Sequence, residues 1–83
     1  MMVRIEALWQ DEAGTQRSSA GKLEDLSNGG LSIRIKDPIG VGSKLTVRSH
    51  IGNFPGTVMQ CRQVGRDYVL GIKRDAAQES DGK

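Results

Sequence analysis

From Leu31 to Lys36 the chain alternates strictly, with Leu31, Ile33 and Ile35 apolar and Ser32, Arg34 and Lys36 polar. A period of two sends one set to each side of an extended strand, so the segment is stable only with one face buried and the other wet. The same alternation recurs at Val3, Ile5, Ala7 and Trp9, with Arg4, Glu6 and Leu8 between them. Leu45 and Val47 alternate with Lys44, Thr46 and Arg48, and Tyr68, Leu70 and Ile72 share a face. Residues 20–26 and 56–63 complete a set of six predicted strands.

Turn chemistry separates them. Residues 11–19 are polar and read as a loop, and residues 50–55 as another. Asn28-Gly29 is a strong hairpin signal because both residues tolerate positive φ. Asp37-Pro38 stops the third strand, Gly40 and Gly42 keep the next connection irregular, and Val64-Gly65-Arg66 joins the last two strands. Turn signals at intervals of about ten residues argue for a small antiparallel barrel or sandwich. The predicted class is all-β. With 83 residues there is material for one core. The expected division is one domain over residues 1–75 and a polar C-terminal tail over residues 76–83, with a helical turn at 76–79.

Several function classes fall away. No apolar run approaches the roughly 18 residues of a membrane span, and the N-terminus lacks the charged-then-apolar pattern of a signal peptide. A soluble, cytoplasmic protein without membrane insertion is expected. Cys61 is the single cysteine and His50 the single histidine, so no intramolecular disulfide and no metal-ligand set is expected. Nothing in the sequence orients either residue as nucleophile or base, and Asp11-Glu12 lie in a loop with no implied pocket, so no catalytic residue is assigned. The net charge is +2, with acids interleaved among the bases. That balance suits an anionic ligand without marking a nucleic-acid binder, and three scattered aromatics, Trp9, Phe54 and Tyr68, make no stacking platform. Trp9 is expected in the core.

The stretch Asp25-Leu26-Ser27-Asn28-Gly29-Gly30 places an acid and a hydroxyl at a strand reversal. On chemistry alone, Asp25 and Ser27 either satisfy turn amides or present polar groups to a ligand. Asp25-x-Ser27-x-x-Gly30, set within Gly21-Lys22-Leu23-Glu24-Asp25-Leu26-Ser27-Asn28-Gly29-Gly30-Leu31, resembles the Asp/Asn-x-Ser-x-x-Gly signature of the PilZ domain. A small-residue turn before Lys44, Gly56-x-Val58 and Tyr68-x-Leu70-Gly71-Ile72 extend the resemblance over residues 3–73.

The resemblance implies a six-stranded antiparallel small β-barrel that serves bacterial signalling as a cyclic di-GMP receptor, with no enzymatic activity and no cofactor. It further implies that Asp25 and Ser27 hydrogen-bond the guanine edge and backbone of the ligand and that Gly30 permits close approach. The chemistry agrees, because a carboxylate accepts from guanine N–H groups, a hydroxyl donates or accepts, and glycine removes a crowding Cβ. A protein partner is expected to receive the signal, and no nucleic-acid polymer.

One departure qualifies the site. Ligand-competent PilZ domains carry Arg-x-x-x-Arg just before the first strand, and here Arg4 is followed four positions later by Leu8 and Arg17 by Gly21. The first strand begins at Val3, leaving no room upstream, and one reading of the tandem Met1-Met2 is an added or misassigned start. Losing bidentate arginine contacts to phosphate removes several kcal/mol and is expected to weaken or abolish binding. Arg4 is the nearby substitute and a conditional ligand contact, with Leu23 opposite either Ile5 or Ala7. The alternative function is a degenerate adaptor that acts through protein–protein contacts without nucleotide.

Overall fold

The computed structural model describes residues 3–75, so the helical turn expected at 76–79 lies outside the described residues. Six strands, β1 (Val3–Gln10), β2 (Gln16–Leu26), β3 (Gly30–Ile35), β4 (Lys44–Ser49), β5 (Gly52–Val64) and β6 (Asp67–Arg74), close into a barrel in the order β1-β2-β3-β6-β5-β4. Every neighbouring pair is antiparallel. Closure is the physical solution for a short all-β chain, because an open sheet would leave two unpaired backbone edges.

The predicted alternation decides what lines the barrel. Val3, Ile5, Ala7 and Trp9 from β1 meet Leu31, Ile33 and Ile35 from β3, Leu45 and Val47 from β4, and Leu70 and Ile72 from β6. Ile33, Val47, Val58 and Leu70 have no solvent exposure, and each such side chain contributes about 2 kcal/mol through removal from water. Ile39, on the β3–β4 connection, is also buried and closes the core from one end. Cys61 and Tyr68 pack against the cluster at partial exposure.

Two expected loops are shorter than the sequence suggests. Gln16 to Ser19 belong to β2, paired with Gln10 to Ala7, although their side chains are polar. A backbone partner on β1 makes this strand, not a hydrophobic pattern. The remaining loop is organised by Asp11, whose Oδ1 accepts from the N–H groups of Ala13 and Thr15 at 3.0 and 2.9 Å. Likewise β5 starts at Gly52, so the loop expected over 50–55 is the turn at His50 and Ile51. Pro55 fits inside β5, opposite Thr46, because its carbonyl accepts from Asp75 on the other side of the strand. Its missing N–H faces that same way, beyond the last β5–β6 pair of Gly56 with Arg74, so only the terminal bond is forgone.

The Asn28-Gly29 turn also differs from expectation. Neither residue takes a positive φ. The Ser27 N–H donates to the Gly30 carbonyl at 2.9 Å, but the Ser27 carbonyl is bonded by the Arg74 guanidinium at 3.2 Å. A distant arginine thus replaces the turn's usual internal donor.

Candidate functional site

Two β-bulges create the site. In β2, Leu23 pairs with Ile33 and Asp25 with Ser32, leaving Glu24 as an extra residue. In β5, Val58 pairs with Ile72 and Gln60 with Gly71, leaving Met59 extra. An unbroken ladder continued from Leu23 would place Asp25 opposite Leu31 and send its carboxylate into the core; continued from Val58, it would do the same to Gln60. The bulges turn both side chains outward. Because Ser32 pairs with Gly71, Asp25, Ser32, Gly71 and Gln60 form one row across four strands. At roughly 4.8 Å per strand the row is about 14 Å long.

The row is the floor of a groove of about 440 Å³ that includes Asp25, Ser27, Gly30, Met59, Gln60 and Lys73. Three of the four predicted site residues therefore meet. Asp25 Oδ1 accepts from the Leu26 N–H at 3.0 Å. The Ser27 hydroxyl donates to the Gly30 carbonyl at 3.2 Å. Both side chains hold the turn, as local hydrogen bonding alone would have them do, yet Asp25 Oδ2 and the Ser27 hydroxyl lone pairs keep acceptor capacity. Gly30 answers first to its neighbour strand: a Cβ there would stand 2.7 Å from the Ile72 carbonyl oxygen. Its absence of side chain lets β3 and β6 approach, and the open groove follows.

Arg4 does not join them. The register sets Val3 opposite Leu23 and Arg4 opposite Lys22, so neither pairing considered for Leu23 is formed. Arg4 lines a separate depression with Glu6, Arg48, Ser49 and Asn53. It also heads an outward row, Arg4, Lys22, Arg34, Val69 and Arg62, that runs beside the Asp25 row. A larger depression of about 590 Å³ lies away from the signature, between Gln10, Gln16 and Lys44. Lys44 is paired there with Asp75 at 3.3 Å, so its charge is already answered.

Arg34 steadies the β2 bulge. Its Nε donates to Glu24 Oε2 at 2.7 Å and its Nη1 reaches Asp67 at 3.4 Å, which raises its already high pKa. Burial pushes the Asp67 carboxyl up, but the Lys36 ammonium at 3.4 Å and the Arg34 guanidinium together outweigh it and hold the carboxyl below its ordinary range. Arg34 is thus neutralised by acids of its own fold.

Arg74 was not marked by the sequence. Its guanidinium lies 5.1 Å from the centre of the Phe54 ring while bonding the Ser27 carbonyl, and its N–H donates to the Gly29 carbonyl at 3.2 Å. The only signal available was a base closing the last strand, indistinguishable from the other surface bases. Gln60 and Met59 escaped for the same reason as the bulge that exposes them. Among the described residues no group of three or more His, Cys, Asp and Glu side chains could hold a metal, and no helix is long and apolar enough to cross a membrane.

The family model of the PilZ domain matches residues 2–82, which covers the signature, both bulges and all six strands. No curated protein matches the chain.

Proposed function

The chain belongs to the PilZ domain family, and on that premise we propose that it is a bacterial, cytoplasmic signalling module that binds cyclic di-GMP in the groove edged by Asp25, Ser27 and Gly30. The family consists in general of cyclic di-GMP receptors, binding and signalling modules that do not catalyse. One observation carries the reading for this chain. The bulge at Glu24 turns the Asp25 carboxylate out to the rim of a floor made of Ser32 and Gly71, small enough for a flat base to lie on.

In this reading the free oxygen of Asp25 accepts from the guanine N–H edge, and the Ser27 hydroxyl supplies a second polar contact. Arg4, in its separate depression, makes no contact in this groove and is left out of the reading. Isothermal titration of cyclic di-GMP into the chain at about 100 μM, ample for a micromolar Kd, tests it. Heat from the wild type that is lost in Asp25→Ala supports the site.

A second reading is favoured by a different observation. Asp25, Ser27 and Arg74 already satisfy one another's turn, and Leu26 and Met59 beside it stay 40% and 56% exposed. An adaptor that recognises a protein partner through this rim without nucleotide would look the same. Absence of heat from the wild type would leave that reading standing.

A further inference from the structure

The groove has two chemically different walls, and the signature accounts for only one. On the far wall the β5 bulge presents Gln60, whose amide folds over Gly71. A Cβ on Gly71 would stand 2.9 Å from Gln60 Cγ and 3.0 Å from Nε2. The glycine is what lets the amide lie on the floor, and the amide accepts and donates no hydrogen bond among the described residues. Lys73 lies one outward position beyond Gly71 on β6, opposite Gly30. With no side chain on Gly30, nothing on β3 covers the ammonium, and it is exposed with no acid paired to it among the described residues.

The two walls therefore differ in sign. A carboxylate at Asp25 repels phosphate and accepts from a base, whereas a primary amide beside an ammonium welcomes an anion. Strand and residue spacing set the Cα atoms of Asp25 and Lys73 about 12 Å apart, a span that a nucleotide covers from base edge to phosphate once both side chains reach inward. We infer that Gln60 and Lys73 form the phosphate-binding wall of the groove, with the anionic group of the ligand seated over Gly71 between the Gln60 amide and the Lys73 ammonium. The inference rests on the nucleotide reading of the Asp25 wall and names one cation, Lys73, that serves it.

The test is titration of cyclic di-GMP into the full chain and into Gln60→Ala, Lys73→Met and the double variant, at low and high salt. Both side chains changed are on the outer surface, and amide spectra report that the barrel of each variant is intact. The expected result is binding weakened about ten-fold by Lys73→Met, with a flatter salt dependence because one screened charge contact is gone. Gln60→Ala is expected to weaken binding several-fold with the salt dependence unchanged. Wild-type binding that needs Asp25 but is left within two-fold by both substitutions overturns the phosphate wall and leaves the nucleotide reading in place. No wild-type binding overturns both.

Discussion

Nε of Arg34 donates a 2.7 Å hydrogen bond to Oε2 of Glu24, the residue that the β2–β3 register skips between Leu23 and Asp25. The contact ties the skipped residue to the strand that the bulge interrupts. It also engages the guanidinium with the fold's own acids, since its Nη1 reaches Asp67 as well, so Arg34 is structural in its allegiance.

Arg34→Leu is expected to keep the barrel and loosen the bulge. Amide hydrogen exchange should accelerate at Glu24 and Asp25 and stay unchanged on β4, since local opening follows lost local contacts. Uniform protection across β2 in the variant would show that the ladder on either side holds the bulge without Arg34.

Two glycines of the groove should behave oppositely. Gly30→Ala drives a Cβ to within 2.7 Å of the Ile72 carbonyl oxygen, backbone that cannot rotate away, and is expected to cost about 1–3 kcal/mol in denaturant unfolding. Gly71→Ala meets only the flexible Gln60 side chain. It should cost well under 1 kcal/mol on the same scale while displacing the amide from the groove floor, read as a shift of the Gln60 side-chain NH₂ resonances. Equal destabilisation by both would refute the distinction.

Removal of Arg74 should change the turn's conformation. Asn-Gly favours positive φ at both positions, and Arg74 bonds the carbonyls of Ser27 and Gly29 in a turn where neither middle residue has it. Loss of the guanidinium in Arg74→Gln is expected to let Asn28 move to positive φ, seen as a strong intraresidue amide-to-Hα NOE. Arg74→Lys, which keeps a charge but not the planar fork over Phe54, should be intermediate. An Asn28 unchanged in both variants would show that the turn holds itself.

Acid should find Asp67. Burial raises its carboxyl, yet Lys36 and Arg34 bring it below its ordinary value of 3.8, so the folded pKa is lower than the unfolded one. The resulting stability is complete above the unfolded value and is lost as pH falls through the folded one. Asp11, lowered chiefly by the Thr15 N–H, acts with the same sign. Denaturation midpoints should therefore decline below about pH 4, and Asp67→Asn should flatten that limb while lowering stability near neutrality. An unchanged acid limb would remove Asp67 from the account.

What could be read from the sequence follows from where the information lies. Strands with a hydrophobic face announce themselves, so β1, β3 and β6 are legible from Val3–Trp9, Leu31–Ile35 and Tyr68–Ile72, as is the all-β class. Gln16 to Ser19 carry no such face; they are strand because β1 offers them partners, and a partner is not a local property. The bulges are hidden for a related reason. Alternation counted from Leu23 sends Asp25 inward, and only the pairing of Asp25 with Ser32 reveals the added residue. The signature located one wall of the groove, while Gln60 and Arg74 needed the register of strands distant in sequence.

Each bulge also separates the length of its strand from its pairing. Removal of Glu24 would still leave Leu23 opposite Ile33 and Asp25 opposite Ser32, and removal of Met59 would keep Val58 and Gln60 on their partners. The groove thus sits at two joints where the chain can lose a residue without the barrel interior changing hands. Deletion and insertion, ordinarily ruinous within a strand, become at these two positions a means of reshaping the walls while the core stays as it is.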